Sequence, residues 1–531
     1  MVWGLPLSNS LTSLRKRSAP MANQNDKLSQ LRRRDFLRLL FKSALVFTVM
    51  LSISLLTSCG GGGGGNNAGQ TTVPTVGQSG GTFTSSDASA SLTFPAGVLG
   101  HDVSAIIIPT ASPVNSDQLD TGSAPAYSVQ FSQTIASTNA PDPSGTSTVV
   151  FQSKLPSGID VSRTVVYISR PDFSTPIVVS STLDPKTGQV VANIPVAAFY
   201  NSVETAKIRP HNFIILAEII IGIGIYHRET LDTSAVIQPA AYDSPSHSWR
   251  QNRWPASSDV AGKRIAIVVP GTWRDLGSDG FPALGEYLNN LGYYNASDNN
   301  HFFYRVLGVN YNTLASPDQT GDLLAAQIAQ LTSDGARVFV FAHSQGGLVS
   351  RWAIEQDKNQ TKNVVMLTMF GTPNEGIPAI AIETVALGVH MSPFAPSMSA
   401  MSNEPNGNVS QFLHRLNDTP TKGSAAYYTV SGDIGWFEAD NDTNKWEKSS
   451  HLLLVDGPDD GVVYVSSATG QHINLANHCT SYDPNHNSLV LHVVHSNLPD
   501  VKDNHGVSDE ESTLGPWIRE QEFGTTTVNV Q

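Results

Sequence analysis

Residues 337–347 read Arg-Val-Phe-Val-Phe-Ala-His-Ser-Gln-Gly-Gly, an apolar run that passes directly into a turn of small residues. The run predicts a buried strand, and residues 348–355 after the turn predict a helix. A serine on such a sharp strand-to-helix turn has its hydroxyl pushed out above the sheet. This context favours Ser344 as a nucleophile over a serine in an ordinary glycine-rich turn. The backbone amide of Gln345 then lies at a helix N-terminus, where it can stabilise a developing oxyanion.

Strands and helices alternate around this segment, within residues 254–531. A strand is predicted at 264–269, a helix at 282–290, a strand at 304–308 and a helix at 321–331. This alternation predicts a mostly parallel sheet that is covered by helices on both faces.

Three further motifs follow the same order as in a known family. Residues 342–347 resemble the nucleophile elbow of bacterial lipases with the α/β-hydrolase fold. Phe-Gly-Thr-Pro-Asn-Glu-Gly at 370–376 resembles their Gly-Thr-Pro-His-x-Gly segment, with Asn374 where histidine is usual. Residues 460–463, Asp-Gly-Val-Val, resemble the loop that bears their acid. The first strand departs from the pattern, because Pro270 stands where the family has histidine. The resemblance implies an α/β-hydrolase fold and ester hydrolysis through a Ser-His-Asp triad.

The acid of the triad is predicted to be Asp460. A neutral serine is a weak nucleophile and needs a histidine to take its proton and a carboxylate to orient that histidine. The family order is serine, acid, histidine, and Asp460 directly precedes the Gly-Val-Val segment. Asp459 and Asp456 are rivals, which could instead belong to a solvated acidic turn or a calcium-binding loop.

Two histidines compete for the role of base. His495 follows a predicted strand at 488–494, where the loop bearing the catalytic histidine begins, and it is preferred over His505 before the last helical stretch at 514–521. His492 faces the opposite side of that strand and is interpreted as structural. The sequence contains no His-Glu-x-x-His motif and no Cys/His ligand spacing, so we expect no metal and no cofactor.

The second oxyanion donor is predicted just after Gly271, from the amide of Thr272 or of Trp273. Residues 377–401 form an apolar insertion rich in Met and Ala. Such a segment can be a movable lid that contacts acyl chains or a fixed cap helix, and the sequence leaves both open.

Residues 1–59 have the parts of an export signal: a basic start, an apolar run at 43–56 and small residues before Cys59. The run is shorter than the roughly 20 residues of a membrane span. Leu-Thr-Ser-Cys at 56–59 resembles a bacterial lipoprotein lipobox, and 33–38 resembles a twin-arginine motif. The resemblance implies that Cys59 is acylated and becomes the lipid anchor. The following glycine implies the outer membrane. Residues 60–79 then read as a Gly-rich tether.

Residues 80–207 contain short β-branched runs separated by turn residues, which predicts a smaller antiparallel β-sandwich. Residues 80–99 resemble the β-sandwich domain of ankyrins and netrin receptors, and we expect a spacer or docking module. Residues 208–253 are predicted to connect the two domains, with a buried strand or helix at 213–225.

Composition narrows the possible functions. The 531 residues are 40% hydrophobic and 15% charged, which excludes a wholly disordered chain, and two cysteines exclude a disulfide framework. With 32 Lys+Arg against 45 Asp+Glu, the formal charge of -13 argues against a nucleic-acid partner.

The motifs together indicate a serine carboxylic-ester hydrolase, a lipase or esterase, that acts on a lipid or another ester and is held at the bacterial envelope. Two alternatives stay open. The chain could be a surface docking or adhesion protein with an inert hydrolase fold. It could also hydrolyse thioesters, amides or polyesters, because the same triad cleaves all of these.

Overall fold

The structure is a computed structural model. It describes residues 75–523 except 77–78, 100–101, 117, 123, 132–144, 153–154, 156–158, 160, 172–174, 185, 203–212, 217, 228–230, 273, 279, 292–300, 358, 390, 404–409, 419–421, 435–444, 452, 455–457, 492–494 and 501–513. The predicted signal peptide with Cys59, and most of the predicted tether, lie outside the described residues. Val73–Gln531 forms one compact unit.

The first part of this unit is built from antiparallel strands. They are β1 (Thr75–Val76), β2 (Gly81–Thr84), β3 (Ala90–Phe94), β4 (Val103–Thr110), β5 (Leu119–Asp120), β6 (Ala126–Phe131), β7 (Thr146–Phe151), β8 (Thr164–Ser169), β9 (Ile177–Ser180), β10 (Thr182–Leu183), β11 (Val190–Pro195), β12 (Tyr200–Ser202), β13 (Phe213–Ile215) and β14 (Glu218–Tyr226). One sheet has the order β1-β4-β6-β14-β8-β9, with β5 beside β14, and a second has the order β10-β11-β7-β3-β2. Strands β12 and β13 pair with each other.

The two sheets share one apolar core. Every second residue of β3 and of the first half of β4 is buried, as the period of two in a strand requires. Residues from both sheets meet in a single cluster, in which the rings of Phe94 and Phe199 pack edge to face at 5.2 Å. The described part of the run at 213–225 contains β13 and most of β14 and no helix. It needs glycine because a Cβ at Gly222 would lie 2.4 Å from the Tyr167 hydroxyl.

The segment 208–253 contains strands of both parts of the unit rather than a connection alone. Strand β14 lies between β6 and β8 in the first sheet. Strands β15 (Ile237–Asp243) and β16 (Ser248–Gln251) pair with each other, and β15 also pairs with the next sheet. Long-range strand pairing of this kind leaves no signal in the local sequence pattern, which predicts only a connecting segment here.

The second part is a mixed sheet with helices. Its other strands are β17 (Arg264–Val269), β18 (Arg305–Tyr311), β19 (Arg337–His343), β20 (Val364–Phe370), β23 (Ala426–Gly432) and β24 (Ser488–Leu491), and a separate short pair is β21 (Ile377–Pro378) with β22 (Ser402–Asn403). The eight described strands have the order β16-β15-β18-β17-β19-β20-β23-β24. All neighbours from β18 to β24 are parallel, whereas β15 is antiparallel to both of its neighbours.

The helices are α1 (Phe281–Asn290), α2 (Pro317–Thr332), α3 (Gln345–Gln356), α4 (Ala379–Gly388), α5 (Pro396–Met401), α6 (Gln411–Asp418), α7 (Lys445–His451), α8 (Val465–Thr469) and α9 (Gly515–Phe523). Alternate residues of the central strands enter two different apolar clusters. One cluster contains residues of α1 and α9, and the other contains residues of α2 and α3. Helices therefore cover both faces of the sheet, and the strands are near-continuously apolar for that reason. No helix in the described ranges is long and apolar enough to cross a bilayer.

Candidate active site

Ser344 occupies the turn between β19 and α3. Its backbone has φ 52° and ψ −127°, a conformation that a residue with a side chain rarely adopts. The Ser344 amide donates to the Phe370 carbonyl at 2.8 Å, which ties the turn to the neighbouring strand β20. The serine is 5% exposed. Strain that the surroundings hold in this way is concentrated at functional sites.

Glycines let the chain pass close to this turn. A Cβ on Gly271 would lie 2.6 Å from the Ser344 Cβ, and a Cβ on Gly346 would lie 2.3 Å from the Pro270 carbonyl oxygen. Both distances are too short for any side chain. The loop after β17 and the start of α3 are therefore in contact through their backbones, with Ser344 between them.

His495 and Asp460 form a buried pair beside the serine. The His495 Nδ1 lies 2.8 Å from Oδ2 of Asp460, and the His495 amide donates to the Asp460 carbonyl at 2.9 Å. The other carboxylate oxygen, Oδ1, accepts the amides of Val462 and Val463 at 3.0 and 2.8 Å. These bonds fix the carboxylate. They leave Nε2 of His495 buried and with no hydrogen-bond partner in the described part of the chain.

Only one of the two rival acids lies in the described residues. Asp459 contacts a different histidine, with both carboxylate oxygens at 2.9 and 3.0 Å from Nδ1 of His451. Asp456 lies outside the described residues, and so do the alternative base His505, the neighbouring His492 and the alternative oxyanion donor Trp273. The structure thus brings Ser344, Asp460 and His495 together and provides no position for those four residues.

The predicted oxyanion residues meet each other beside the serine. The Thr272 hydroxyl donates to Oε1 of Gln345 at 2.8 Å, which holds the loop after β17 against the start of α3. Gln345 is fully buried and is the first residue of α3, so its amide belongs to the N–H groups that have no partner within a helix.

His343 contacts the predicted base in a way that the sequence does not indicate. Its Nε2 lies 3.0 Å from the His495 carbonyl oxygen, so the imidazole donates there, and the two rings are 4.8 Å apart. Burial holds the pKa of His343 well below its usual value, which keeps the ring neutral. The two residues of this contact are 152 positions apart in the chain, so the sequence pattern does not indicate it. The only sequence signal for His343 is its place next to Ser344.

Asn374, in the Gly-Thr-Pro-Asn-Glu-Gly segment after β20, is part of a buried polar network. Asn374 Oδ1 accepts a bond from Arg351 at 3.1 Å, and Arg351 pairs with Glu355 at 2.8 Å. The Asn374 amide nitrogen donates to the Ala468 carbonyl at 2.8 Å. This network ties the loop after β20 to α3 and α8. The charges are fully buried and paired, as buried charges must be.

The insertion at 377–401 covers the serine. It contains β21, α4 and α5, and its apolar side chains face Ser344 and His495 across a cavity of about 30 Å³. The roof side chains are Ile377, Val385, Val389, Met398 and Met401. A cavity of this size holds one or two water molecules and no acyl chain.

Helix α4 of this cap is attached to the first sheet. The Thr384 hydroxyl donates to the Val178 carbonyl at 2.9 Å and accepts the Val178 amide at 2.8 Å. The Tyr226 hydroxyl donates to the Glu383 carbonyl at 3.3 Å, and the Glu383 carboxylate accepts the Ser180 hydroxyl. Burial raises the pKa of Glu383. The closed cap is thus held by β9 and β14.

A hydroxyl, an imidazole and a carboxylate are assembled here, from Ser344, His495 and Asp460. Such a set can supply a nucleophile, a base and an acid that orients the base. In the described ranges no group of three or more His, Cys, Asp or Glu side chains is arranged to hold a metal ion. Cys479 is a free and buried thiol whose pKa burial raises to about 11, so it is not poised as a nucleophile.

Comparisons with known proteins give low, partial similarities. No protein-family model and no curated protein matches the chain. Among solved structures, a Bacillus licheniformis lipase (BlEst2, mature form) is 14% identical with a TM-score of 0.33, covering 51% of this chain and 94% of that one. The Legionella pneumophila phospholipase PlaB is 18% identical with a TM-score of 0.28, over 39% and 45%. A metagenomic carboxyl esterase, MGS0156, is 14% identical with a TM-score of 0.31, over 51% and 79%. Similarity of this degree says nothing about which residues act in this chain.

Proposed function

We propose that this protein is a serine carboxylic-ester hydrolase of the α/β-hydrolase type. One observation carries the proposal: the imidazole of His495, bonded to Asp460 at 2.8 Å, lines the same small cavity as Ser344 on its strained turn. A strained serine and a carboxylate-bound histidine at one cavity are the arrangement that nucleophilic acyl transfer requires.

Asp460 sets the tautomer of the base. Since its Oδ2 accepts the Nδ1–H of His495, the lone pair of the imidazole is on Nε2, which is the nitrogen without a partner in the described residues. Nε2 takes the proton of the Ser344 hydroxyl as Oγ attacks the ester carbonyl. The same nitrogen then gives the proton to the leaving alcohol, and water hydrolyses the acyl-enzyme by the reverse steps.

The oxyanion is stabilised by the backbone amides of Gln345 and Thr272. The amide of Gln345 begins α3, so the positive end of the helix faces the developing charge. The bond from the Thr272 side chain to Gln345 keeps the two donors at a fixed separation before substrate arrives. Donors that are already in place cost no reorganisation during the reaction.

The substrate is a lipid or another ester with an apolar acyl group. Apolar cap residues line the cavity at Ser344, but its volume of about 30 Å³ requires the cap to move before an acyl chain can enter. Thioesters, amides and polyesters share the same chemistry and differ in how they fit beneath the opened cap.

The proposal is tested with a series of chromogenic esters from acetyl to long-chain acyl, using soluble protein that starts after Cys59 and its Ser344→Ala variant. We expect turnover that falls by about 10⁴-fold or more in the variant, with an unchanged circular dichroism spectrum. A rise in kcat/KM with acyl length indicates a lipase, and a preference for short chains indicates an esterase. A folded protein without turnover on any member would contradict the ester-hydrolase proposal and favour a docking protein with an inert fold.

We further propose that lipidated Cys59 holds the enzyme at the bacterial envelope, in the outer membrane. The support is the sequence alone: Leu-Thr-Ser-Cys at 56–59 after an apolar run, followed by a glycine-rich segment. The Cys59→Ser variant should be lost from the membrane fraction, and its kcat should equal that of the wild type. An unchanged membrane fraction would contradict the anchor.

A further inference from the structure

One short helix touches the loops of both the predicted base and the predicted acid. Helix α7 (Lys445–His451) bears Glu447 and His451, which are four residues apart and therefore project from one face. Glu447 Oε1 accepts the Ser496 amide at 2.9 Å, and its Oε2 accepts the Ser496 hydroxyl at 3.3 Å. His451 Nδ1 lies 2.9 Å from Oδ1 of Asp459.

The two contacts are made next to the catalytic pair. Ser496 directly follows His495, and Asp459 directly precedes Asp460. The Asp459 Oδ1 that meets His451 also accepts the Gly461 amide at 2.7 Å, so the acid loop is held on both sides of Asp460. Helix α7 is thus hydrogen-bonded to the residue after His495 and to the residue before Asp460.

The carboxyls that make these two contacts are buried, and burying a charged group costs free energy that an apolar side chain of similar volume does not cost. Glu447 is fully buried and Asp459 is 1% exposed, and burial raises the pKa values of both carboxyls, that of Glu447 to about 7. The charged groups that face Glu447 are His495, which favours its ionised form, and Asp460, which opposes it. Buried charged contacts are weak evidence for stability, and in some proteins they instead fix one geometry of the groups around them.

We propose that Glu447 and His451 are positioning residues, which fix the histidine loop and the acid loop to one helix and so maintain the contact between His495 and Asp460. The inference rests on the proposed function for its kinetic consequences. Arg274 also contacts the histidine loop, since it donates to the Ser496 carbonyl at 3.2 Å. A displacement of about 1 Å in such a site can cost about 100-fold in rate.

The test compares Glu447→Ala, Glu447→Gln, His451→Ala and His451→Asn with the wild type. Ser449→Ala is the matched control on the same helix: Ser449 is buried, and its hydroxyl donates to the Thr175 carbonyl at 2.8 Å, away from both loops. We measure kcat and KM for a chromogenic acetyl ester per active site titrated with a fluorophosphonate, and the pH–rate profile. The downfield proton resonance of the His495 Nδ1–H is recorded without substrate and assigned by its loss in His495→Ala.

The two alanine variants should lose about 10- to 100-fold in kcat with little change in KM, and the Nδ1–H resonance should shift or disappear. His451→Asn should recover most of the rate, because the asparagine amide donates where Nδ1 does. Glu447→Gln should also recover most of it, since its carbonyl still accepts the Ser496 amide. In that variant the pH–rate profile should change shape near neutral pH, because a carboxyl whose pKa burial raises to about 7 no longer titrates beside the His495–Asp460 pair. Ser449→Ala should change neither kcat nor the profile.

Alanine variants with wild-type kcat per active site, an unchanged profile and an unchanged Nδ1–H resonance would overturn the inference, whatever their thermal stability. If the wild type turns over no ester, the proposed function is contradicted, and the positioning role is then tested by the Nδ1–H resonance alone. Its disturbance in the alanine variants would still support the positioning role, and its persistence would overturn it.

Discussion

Ser344 has a positive φ that costs an ordinary residue about 1–3 kcal/mol. The cost is tolerated because the Ser344 amide is bonded to Phe370 and because Gly271 allows the opposite loop to lie against the serine. The strained turn directs the hydroxyl toward the cavity that His495 also lines. Backbone strain at this one residue therefore serves the chemistry that we propose.

The choice between His495 and His505 gives a prediction at the residue scale. We expect His495→Ala to reduce kcat for a chromogenic ester by about 10⁴-fold, because we propose His495, which is bonded to Asp460, as the base. The matched change His505→Ala should keep kcat within about threefold of the wild type. Loss of activity in His505→Ala with retention in His495→Ala would reverse the assignment.

The sequence could indicate some site residues and not others. Ser344 and Gln345 are on a local strand–turn–helix pattern, and Asp460 is beside a recognisable Gly-Val-Val segment. Glu447 and His451 give no such signal, and the only signal for His343 is its place next to Ser344. Their roles depend on contacts with residues that are distant in the chain or on a neighbouring loop, and hydrophobic periodicity does not encode these contacts.

At the scale of elements, the cap formed by α4 and α5 controls access to the serine. The sequence predicts an apolar insertion at 377–401 but leaves its mobility open, because periodicity does not distinguish a lid from a fixed helix. The structure adds what holds α4: the paired hydrogen bonds between Thr384 and Val178, and the bond from Tyr226 to Glu383. The resistance of the cap to opening therefore depends on its contacts with β9 and β14.

Weakening one of those contacts should favour the open cap. Thr384→Val keeps the side-chain volume and removes both bonds to Val178, at a cost of about 1–3 kcal/mol in the closed state. We expect a lower Tm and a several-fold higher kcat/KM for long-chain esters, measured beside a short-chain ester that changes less. The control Thr361→Val removes a buried hydroxyl that donates to the Asp357 carbonyl far from the cap. It should lower Tm without changing kcat/KM, and equal effects of the two variants on kcat/KM would contradict gating by the cap.

At the scale of the whole molecule, the β-rich part and the cap share one apolar core. Phe131 and Val179 of the first sheet belong to the same buried cluster as Val385 and Met398 of the cap. The sequence predicts two modules because the pattern changes from short β-branched runs to alternating strands and helices near residue 254. The local sequence pattern contains no information on how much apolar surface the modules bury against each other. It also does not indicate that β14 pairs with β6 and β8 of the first sheet.

A shared core predicts cooperative unfolding of residues 73–531. Differential scanning calorimetry of the soluble protein should give one transition with equal calorimetric and van't Hoff enthalpies. As a check, Met398→Ala in the cap should lower the Tm of that single transition. Two resolved transitions in the wild type, of which only one moves in the variant, would show that the parts unfold independently.

The most direct test of the central claim is covalent trapping of Ser344. The wild-type protein and Ser344→Ala are incubated with diethyl p-nitrophenyl phosphate, and peptide mass mapping locates the diethylphosphoryl group. We predict release of one equivalent of p-nitrophenol and a single modified residue, Ser344, with no release from the variant and slower release from Asp460→Asn. Modification of another residue, or none on a folded wild-type protein, would contradict the assignment of Ser344 as the activated nucleophile.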